Sequence, residues 1–268
     1  SEMCIRDRIF YVGTNQPQHL TTLRKQILSN FKQLPDMGEY LHRSYFDGAD
    51  FYCKDAYLAI KYFGTGFIPT LFSIKRQVDQ IVSKWPLPLF QDHFSDKALQ
   101  FAAQLFPDHL PARMREYRNQ YEHHMIILAS DHSIQETKEL LQQSFARADE
   151  ECSYFECSES EGKAALLHRY VAGNAPARYQ ILNANESGEL LPLDVALPRN
   201  CETWYEILPQ EILCQMAETF QMSHFLCMVF HWDFVVRKGV DAADLKAKIL
   251  SILDKAGAKY PAEHNVGH

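Results

Sequence analysis

Glu263 and His264 stand side by side near the end of this 268-residue chain. An adjacent carboxylate and imidazole can bind a metal or orient a general acid or base; two solvated polar residues are the plain alternative. Some thirty positions earlier, His231 and Asp233 flank Trp232. On a strand, side chains alternate between faces, so this imidazole and carboxylate share one, where they could polarise a substrate hydroxyl or hold a divalent cation. The plainer reading of the pair is a structural histidine satisfied by a nearby aspartate. His123 and His124 are consecutive on another strand-like stretch and must point to opposite faces, so at most one enters a given site, and a core or edge role is favoured for both. Arg199 follows Leu197-Pro198 at the end of an extended segment. There its guanidinium fork could clamp a carboxylate bidentately, or simply be a surface arginine.

The elements that must position these residues alternate in type. Residues 9–12 read as a strand, 17–31 as a helix with Leu20, Leu23, Ile27 and Phe31 on one face, and 39–42 as a strand again. This opening predicts an α+β sheet layer. From 45 to about 117 the strands disappear, and helices are expected near 57–63, 74–84 and 95–106, the last with Ser95 as N-cap. Beyond lie a strand at 121–129, a helix at 134–148, a strand at 153–157, a helix at 160–171, and extended stretches at 177–182 and 193–197. A short helix at 209–214, one long apolar strand at 225–236, and a helix at 241–256 that Gly257 can end complete the pattern.

The chain carries 27 Lys and Arg against 34 Asp and Glu, a formal charge of -7. This excludes a nucleic-acid binder that works through overall charge. Residues 43–118 reverse the sign, with ten Lys/Arg against eight Asp/Glu, and interleave these bases with aromatics. That pattern fits a helical core with a solvated rim, or a patch docking on anionic lipid with Trp and Phe in the interface and Lys/Arg at phosphates. The seven cysteines are scattered without a Cys-x-x-Cys pair, which argues against a zinc ribbon or disulfide framework and for a reducing compartment. No apolar run reaches the roughly 18 to 20 residues that span a bilayer, so any membrane contact is expected to be peripheral. Residues 1–8 lack an apolar period and an initiating Met; they read as a foreign or truncated leader on an internal piece of a longer protein.

Several segments, in order, resemble one family. They are Phe10-Tyr11-Val12-Gly13-Thr14-Asn15, Gly38-Glu39-Tyr40-Leu41-His42-Arg43, Leu105-Phe106-Pro107-Asp108-His109-Leu110-Pro111, Tyr121-Glu122-His123-His124, Leu167-His168-Arg169, Asp194-Val195-Ala196-Leu197, Trp204-Tyr205-Glu206, Val229-Phe230-His231-Trp232-Asp233 with Lys238-Gly239-Val240-Asp241, and the run from Tyr260 to His268. From about residue 9 to the end, the chain resembles the membrane-associated, quinone-dependent D-lactate dehydrogenases of bacteria. The resemblance implies a flavoprotein of the vanillyl-alcohol-oxidase type, peripheral on the cytoplasmic face of the inner membrane. Its fold would be α+β: an antiparallel-sheet cap domain flanked by helices, with an inserted helical segment that docks on anionic phospholipid.

On that resemblance the cap comprises 9–44, 121–158 and 185–256, the membrane-binding insertion 45–120, and a possible second membrane segment 159–184. Residues 257–268 start the return to an FAD-binding domain, which would hold most flavin contacts outside this chain. Its reaction would oxidise D-lactate to pyruvate, with the C2 hydride passing to FAD and electrons on to membrane quinone. Alternatives are a related 2-hydroxy acid such as glycolate or 2-hydroxyglutarate, or a docking cap without catalysis of its own. The wider family of FAD-linked 2-hydroxy-acid dehydrogenases has two histidines seven apart and a later Glu-His. His224, His231 and Glu263 would match its divalent-metal ligands, and His264 its base; Arg199 would take the substrate carboxylate, with Asp233 nearby. The wider family separates its histidines by a Gly-Asp-Gly-Asn turn, whereas 225–230 here is apolar throughout. A straight strand would hold the two histidines about 23 Å apart on opposite faces.

Overall fold

A computed structural model of the protein describes residues 7–84, 93–106, 108–145 and 151–262. Seven strands form one sheet in the order β4-β1-β3-β2-β6-β7-β5. They are β1 (Arg8–Thr14), β2 (Met37–His42), β3 (His123–Ala129), β4 (Cys152–Glu156), β5 (Ser187–Ala196), β6 (Met216–His224) and β7 (Val229–Arg237). Every neighbouring pair is antiparallel, so the α+β class and the antiparallel sheet hold.

Helices cover both sides of the sheet, so the central strands β1, β2 and β3 are buried on both faces, whereas edge strand β5 alternates buried with exposed residues. On one side Phe10, Val12, Tyr40, Met125, Ile127, Phe230, Trp232 and Phe234 pack with α1 (Pro17–Asn30), α7 (His132–Ser144), the one-turn α10 (Gln210–Leu213) and α11 (Ala242–Lys255) through Leu20, Leu23, Ile27, Leu141, Ile212, Leu245 and Ile249. On the other, Ile9, Tyr11, Leu41, Ile126, Phe220, Met222 and Val235 meet α2 (Arg43–Tyr52), α3 (Lys54–Phe63), α6 (Ala112–Gln120), α8 (Glu159–Ala172) and α9 (Ala175–Leu182).

Between β2 and β3 the described chain is entirely helical, as expected, and adds α4 (Ile68–Val82) and α5 (Phe94–Gln104). This layer is pinned by charge as well as by apolar contact. Arg178 of α9 reaches Asp55 of α3 at 3.0 Å and Asp96 of α5 at 2.9 Å, and Lys75 of α4 shares Asp96 at 2.5 Å.

The structure corrects several local expectations. Residues 177–182 are not extended but form α9, whose Pro176 occupies the first turn, where a missing N–H costs nothing. Ser95 does not cap α5; His93 is the N-cap, and Ser95 instead donates from its N and Oγ to Asp79 at 2.8 and 2.7 Å. The apolar run 225–236 is not one strand. A 3-10 turn at Phe225–Cys227 and Met228 in the left-handed region (φ 59) separate β6 from β7. Arg24 of α1 closes this turn by donating from Nε to the carbonyls of Phe225 and Leu226 at 2.9 and 3.2 Å. Gly38 lets the tip lie on β2, since a Cβ there would stand 2.5 Å from Leu226.

Several of the described histidines sit inside this fold. Burial pushes His123, His124 and His168 down to about 3 and His109 to about 4, with the His42 charge adding at His123 and the Lys54 charge at His109. Such groups are neutral when folded but accept protons when unfolded, so the stability they contribute is complete above about pH 6.5 and is lost as pH falls toward their folded values. Each is expected to cost about 2 kcal/mol at pH 5. Urea denaturation followed by circular dichroism should show the midpoint dropping steeply between pH 7 and 5; a flat profile would refute the neutral assignment.

Candidate active site at the β6–β7 turn

Antiparallel register assembles a polar cluster at the start of the β6–β7 hairpin. Glu39 of β2 lies opposite His224 of β6, and His231 of β7 lies opposite Asp194 of β5. Because His224 pairs with Val229 and Met222 with His231, the two histidines are diagonal neighbours on one face. Their rings stand edge to face with centroids 5.2 Å apart. The separation of about 23 Å on opposite faces is therefore overturned, and the reason is the turn at 225–228: the two histidines lie on two antiparallel strands, not on one.

Each imidazole has a carboxylate at Nδ1. Glu39 Oε1 lies 2.7 Å from His224 Nδ1, and Asp194 Oδ1 lies 2.6 Å from His231 Nδ1. Glu39 is 3% exposed, and its other oxygen accepts from Arg169 of α8, whose Nε and Nη2 are both 3.0 Å from Oε2. Burial alone would raise the Glu39 carboxyl, but the His224 hydrogen bond and the Arg169 charge outweigh it and hold the group below its usual range. Burial lowers His231 despite the opposing Asp194 contact.

His231 and Asp233 share a face, as the spacing predicts, but they are not hydrogen-bonded partners of each other. Asp233 accepts from the Tyr45 hydroxyl of α2, and burial raises its carboxyl against that bond. Arg199 is exposed and lines, together with Glu39 and His224, a cavity of about 740 Å³. Its backbone carbonyl accepts from Arg24 Nη1 at 2.9 Å, so one arginine ties it to the hairpin turn. His123 and His124 do point to opposite faces: His123 Nδ1 lies 2.9 Å from the Tyr40 hydroxyl, and His124 is fully buried against Phe46.

Glu263 and His264 lie outside the described residues. The chain leading to them does not: after α11 it returns beside β5, with Ala196 and Lys259 exchanging backbone hydrogen bonds at 2.8 and 2.9 Å. Ala262, the residue before Glu263, donates to the carbonyl of Asp194 at 2.9 Å, and Asp194 is the partner of His231. Among the described residues no group of three His, Cys, Asp or Glu is arranged to hold a metal. The sequence reading missed Glu39, Arg169, Asp194 and Tyr45 as site residues. One signal was available for Glu39, a single carboxylate on the same strand face as Met37 and Leu41.

The profile of the family described as D-lactate dehydrogenase, membrane binding, matches residues 9–268. The chain is 44% identical over 261 residues to the quinone-dependent D-lactate dehydrogenase of Escherichia coli (strain K12), covering 97% of this chain and 45% of that protein. It is 45% identical over 260 residues to the enzyme of the same name from Haemophilus influenzae, covering 97% and 46%. Among solved structures, p-cresol methylhydroxylase with substrate bound is similar over 94% of this chain and 44% of that one, with 10% identity and a TM-score of 0.47. The chain thus spans a little under half the length of the relatives it matches. By a match over almost all its residues, the chain belongs to the family described as D-lactate dehydrogenase, membrane binding.

Proposed function

We propose that this chain is the cap and membrane-docking portion of a respiratory, FAD-linked dehydrogenase that oxidises D-lactate to pyruvate and delivers electrons to membrane quinone. The observation that carries the reading is the His224 and His231 pair, each ring held by a carboxylate, beside the point where the chain runs into Glu263-His264. A carboxylate at Nδ1 draws the proton of the neutral ring to that nitrogen and presents the Nε2 lone pair on the opposite side. Two such lone pairs are suitable donors for a divalent cation, with Glu263 as the further ligand. Such a cation, when bound, makes a substrate hydroxyl more acidic. His264 serves as the base that removes that hydroxyl proton, and Arg199 pairs with the substrate carboxylate. Asp233, held by Tyr45, lines the same face and keeps it polar.

FAD supplies the hydride acceptor in such an enzyme. The flavin is held mainly by the part of the enzyme outside this chain, and the residues here position the substrate. A substrate panel on the full-length dehydrogenase, with a dye acceptor, is expected to favour D-lactate over glycolate and 2-hydroxyglutarate; preference for either of the others would reassign the substrate.

The helical layer supplies the docking surface. Tyr62, Phe63, Phe72, Ile74, Ile81, Phe101, Leu105 and Phe106 are exposed on or beside α3, α4 and α5, with Lys61, Arg76, Lys84 and Lys97 exposed among them. Among the described residues no helix is long and apolar enough to cross a membrane. Interfacial insertion of aromatics with bases at phosphates is the mode this surface supports, on the cytoplasmic leaflet where anionic lipid is enriched. Tyr170 in 159–184 adds an exposed ring from α8. The chain is expected to float with vesicles containing anionic phospholipid and to be released by raised salt, because exposed charges are screened. Binding indifferent to lipid charge would leave the bases without a docking role.

A further inference from the structure

The helical layer encloses a second cavity, of about 470 Å³, between α3 and α5. Its walls are largely apolar, from Leu58, Ala59, Leu99 and Ala103, and Phe63 and Phe106 on its lining are exposed at 70% and 56%. The mouth is therefore continuous with the aromatic surface assigned above to the membrane.

Asp55, Lys61 and Asp108 also line it, and so does one buried imidazole, His109. The His109 side chain is 1% exposed, and among the described residues neither ring nitrogen has a hydrogen-bond partner. Asp50 Oδ1 lies 3.7 Å from Nδ1, too far to accept a hydrogen bond from it. A buried polar group left unsatisfied is costly, and such a group facing a cavity has the form of a ligand contact. Burial keeps this imidazole neutral at physiological pH, so it offers one N–H donor and one acceptor.

The occupant must be apolar enough to enter from a bilayer and must carry an oxygen acceptor at its head. An acyl chain meets the first condition only. A quinone meets both: its flat ring and isoprenoid tail suit the aromatic mouth, and its carbonyl oxygens accept from N–H. The cavity also lies close to the candidate active site. His109 and His168 have ring centroids 6.2 Å apart, and the next residue on α8, Arg169, holds Glu39.

We propose that the cavity between α3 and α5 binds the headgroup of a membrane quinone, with His109 donating a hydrogen bond to one carbonyl oxygen. The inference rests on the quinone-linked function proposed above. Its test uses the full-length dehydrogenase in detergent, with a short-chain benzoquinone as one acceptor and a water-soluble dye as the other. His109→Leu removes the donor, and Ala59→Phe fills the cavity while leaving the His109 donor in the chain. Both variants are expected to raise the KM for the short-chain quinone on the order of tenfold, the equivalent of one lost hydrogen bond or one blocked apolar contact. Their turnover with D-lactate and dye should stay at the parent value, and a photoreactive quinone should label α3 or α5.

An unchanged quinone KM in Ala59→Phe, with dye turnover intact, overturns the assignment even if His109→Leu does not fold. Reduced vesicle binding in Ala59→Phe with an unchanged quinone KM would assign the cavity to a lipid acyl chain and also overturn it. Loss of D-lactate turnover with dye in the parent enzyme would instead refute the underlying function.

Discussion

Replacing Glu39 by Gln is expected to destabilise the chain by about 3 kcal/mol and to lower D-lactate turnover of the full-length enzyme by about ten- to a hundredfold. The two effects have separate origins. Glu39 is 3% exposed and Arg169 has a side chain 15% exposed, so neutralising the carboxylate leaves a largely buried guanidinium without its counter-charge. Breaking such a pair costs far more than the intact pair contributes, because the desolvation penalty of the remaining charge is no longer offset. Activity falls because Glu39 Oε1 also sets the ring of His224 at 2.7 Å, and a histidine without its orienting carboxylate loses its fixed tautomer. Glu39→Leu combined with Arg169→Leu separates the terms: stability should recover most of the loss in urea titrations, while turnover stays low. If the double variant recovers both, the pair is structural only.

The lowered Glu39 carboxyl has a pH consequence of the same sign. A depressed folded value means that the contribution is present above the unfolded carboxylate range near pH 4 and disappears as pH falls through the folded value. The loss of stability between pH 7 and 5 therefore belongs to the buried histidines, and the Glu39 loss follows at lower pH.

Most of the sheet and helices were legible because their cues are local. β1 and β4 are rich in β-branched and aromatic residues, β3 is a short apolar run, and α1 and α11 have apolar residues at helical spacing. The missed elements depend on distant partners. The turn between β6 and β7 contains no Gly, Asn or Pro; its carbonyls are satisfied by Arg24, roughly two hundred positions away in sequence, so no local turn signal exists. β6 itself went unread because its inward Phe220 and Met222 are interrupted by Glu218, Thr219 and Gln221. α9 is eight residues long with Pro176 at its start, too short for a helical period to show.

The histidines of the candidate cluster could be named from the sequence, and their supports could not. His231 and Arg199 were candidates by type, and His224 entered only through the resemblance, whose wider family has two histidines seven apart. Glu39, Arg169 and Asp194 come from three other elements, and only the antiparallel register of β2 with β6 and of β5 with β7 brings the two carboxylates to the rings. Arg169 reaches Glu39 from α8 on the covering face. Ordinary strand and helix charges acquire a role here through topology.

The second large effect concerns His264. On the proposed reading His264 is the base, and a base that removes the substrate hydroxyl proton contributes about 10² to 10⁴ in rate, whereas His231 would act only by orienting the hydroxyl or a cation. His231→Asn is accordingly expected to lose less than His264→Ala. Ala262 donates to the carbonyl of Asp194, the partner of His231, so the described chain reaches the histidine pair immediately before Glu263. The most direct measurement is anaerobic stopped-flow reduction of bound flavin by D-lactate in the full-length enzyme, with His264→Ala compared against the parent. The account predicts that flavin stays bound and its reduction slows by at least about a hundredfold. Reduction at a near-parent rate would contradict it.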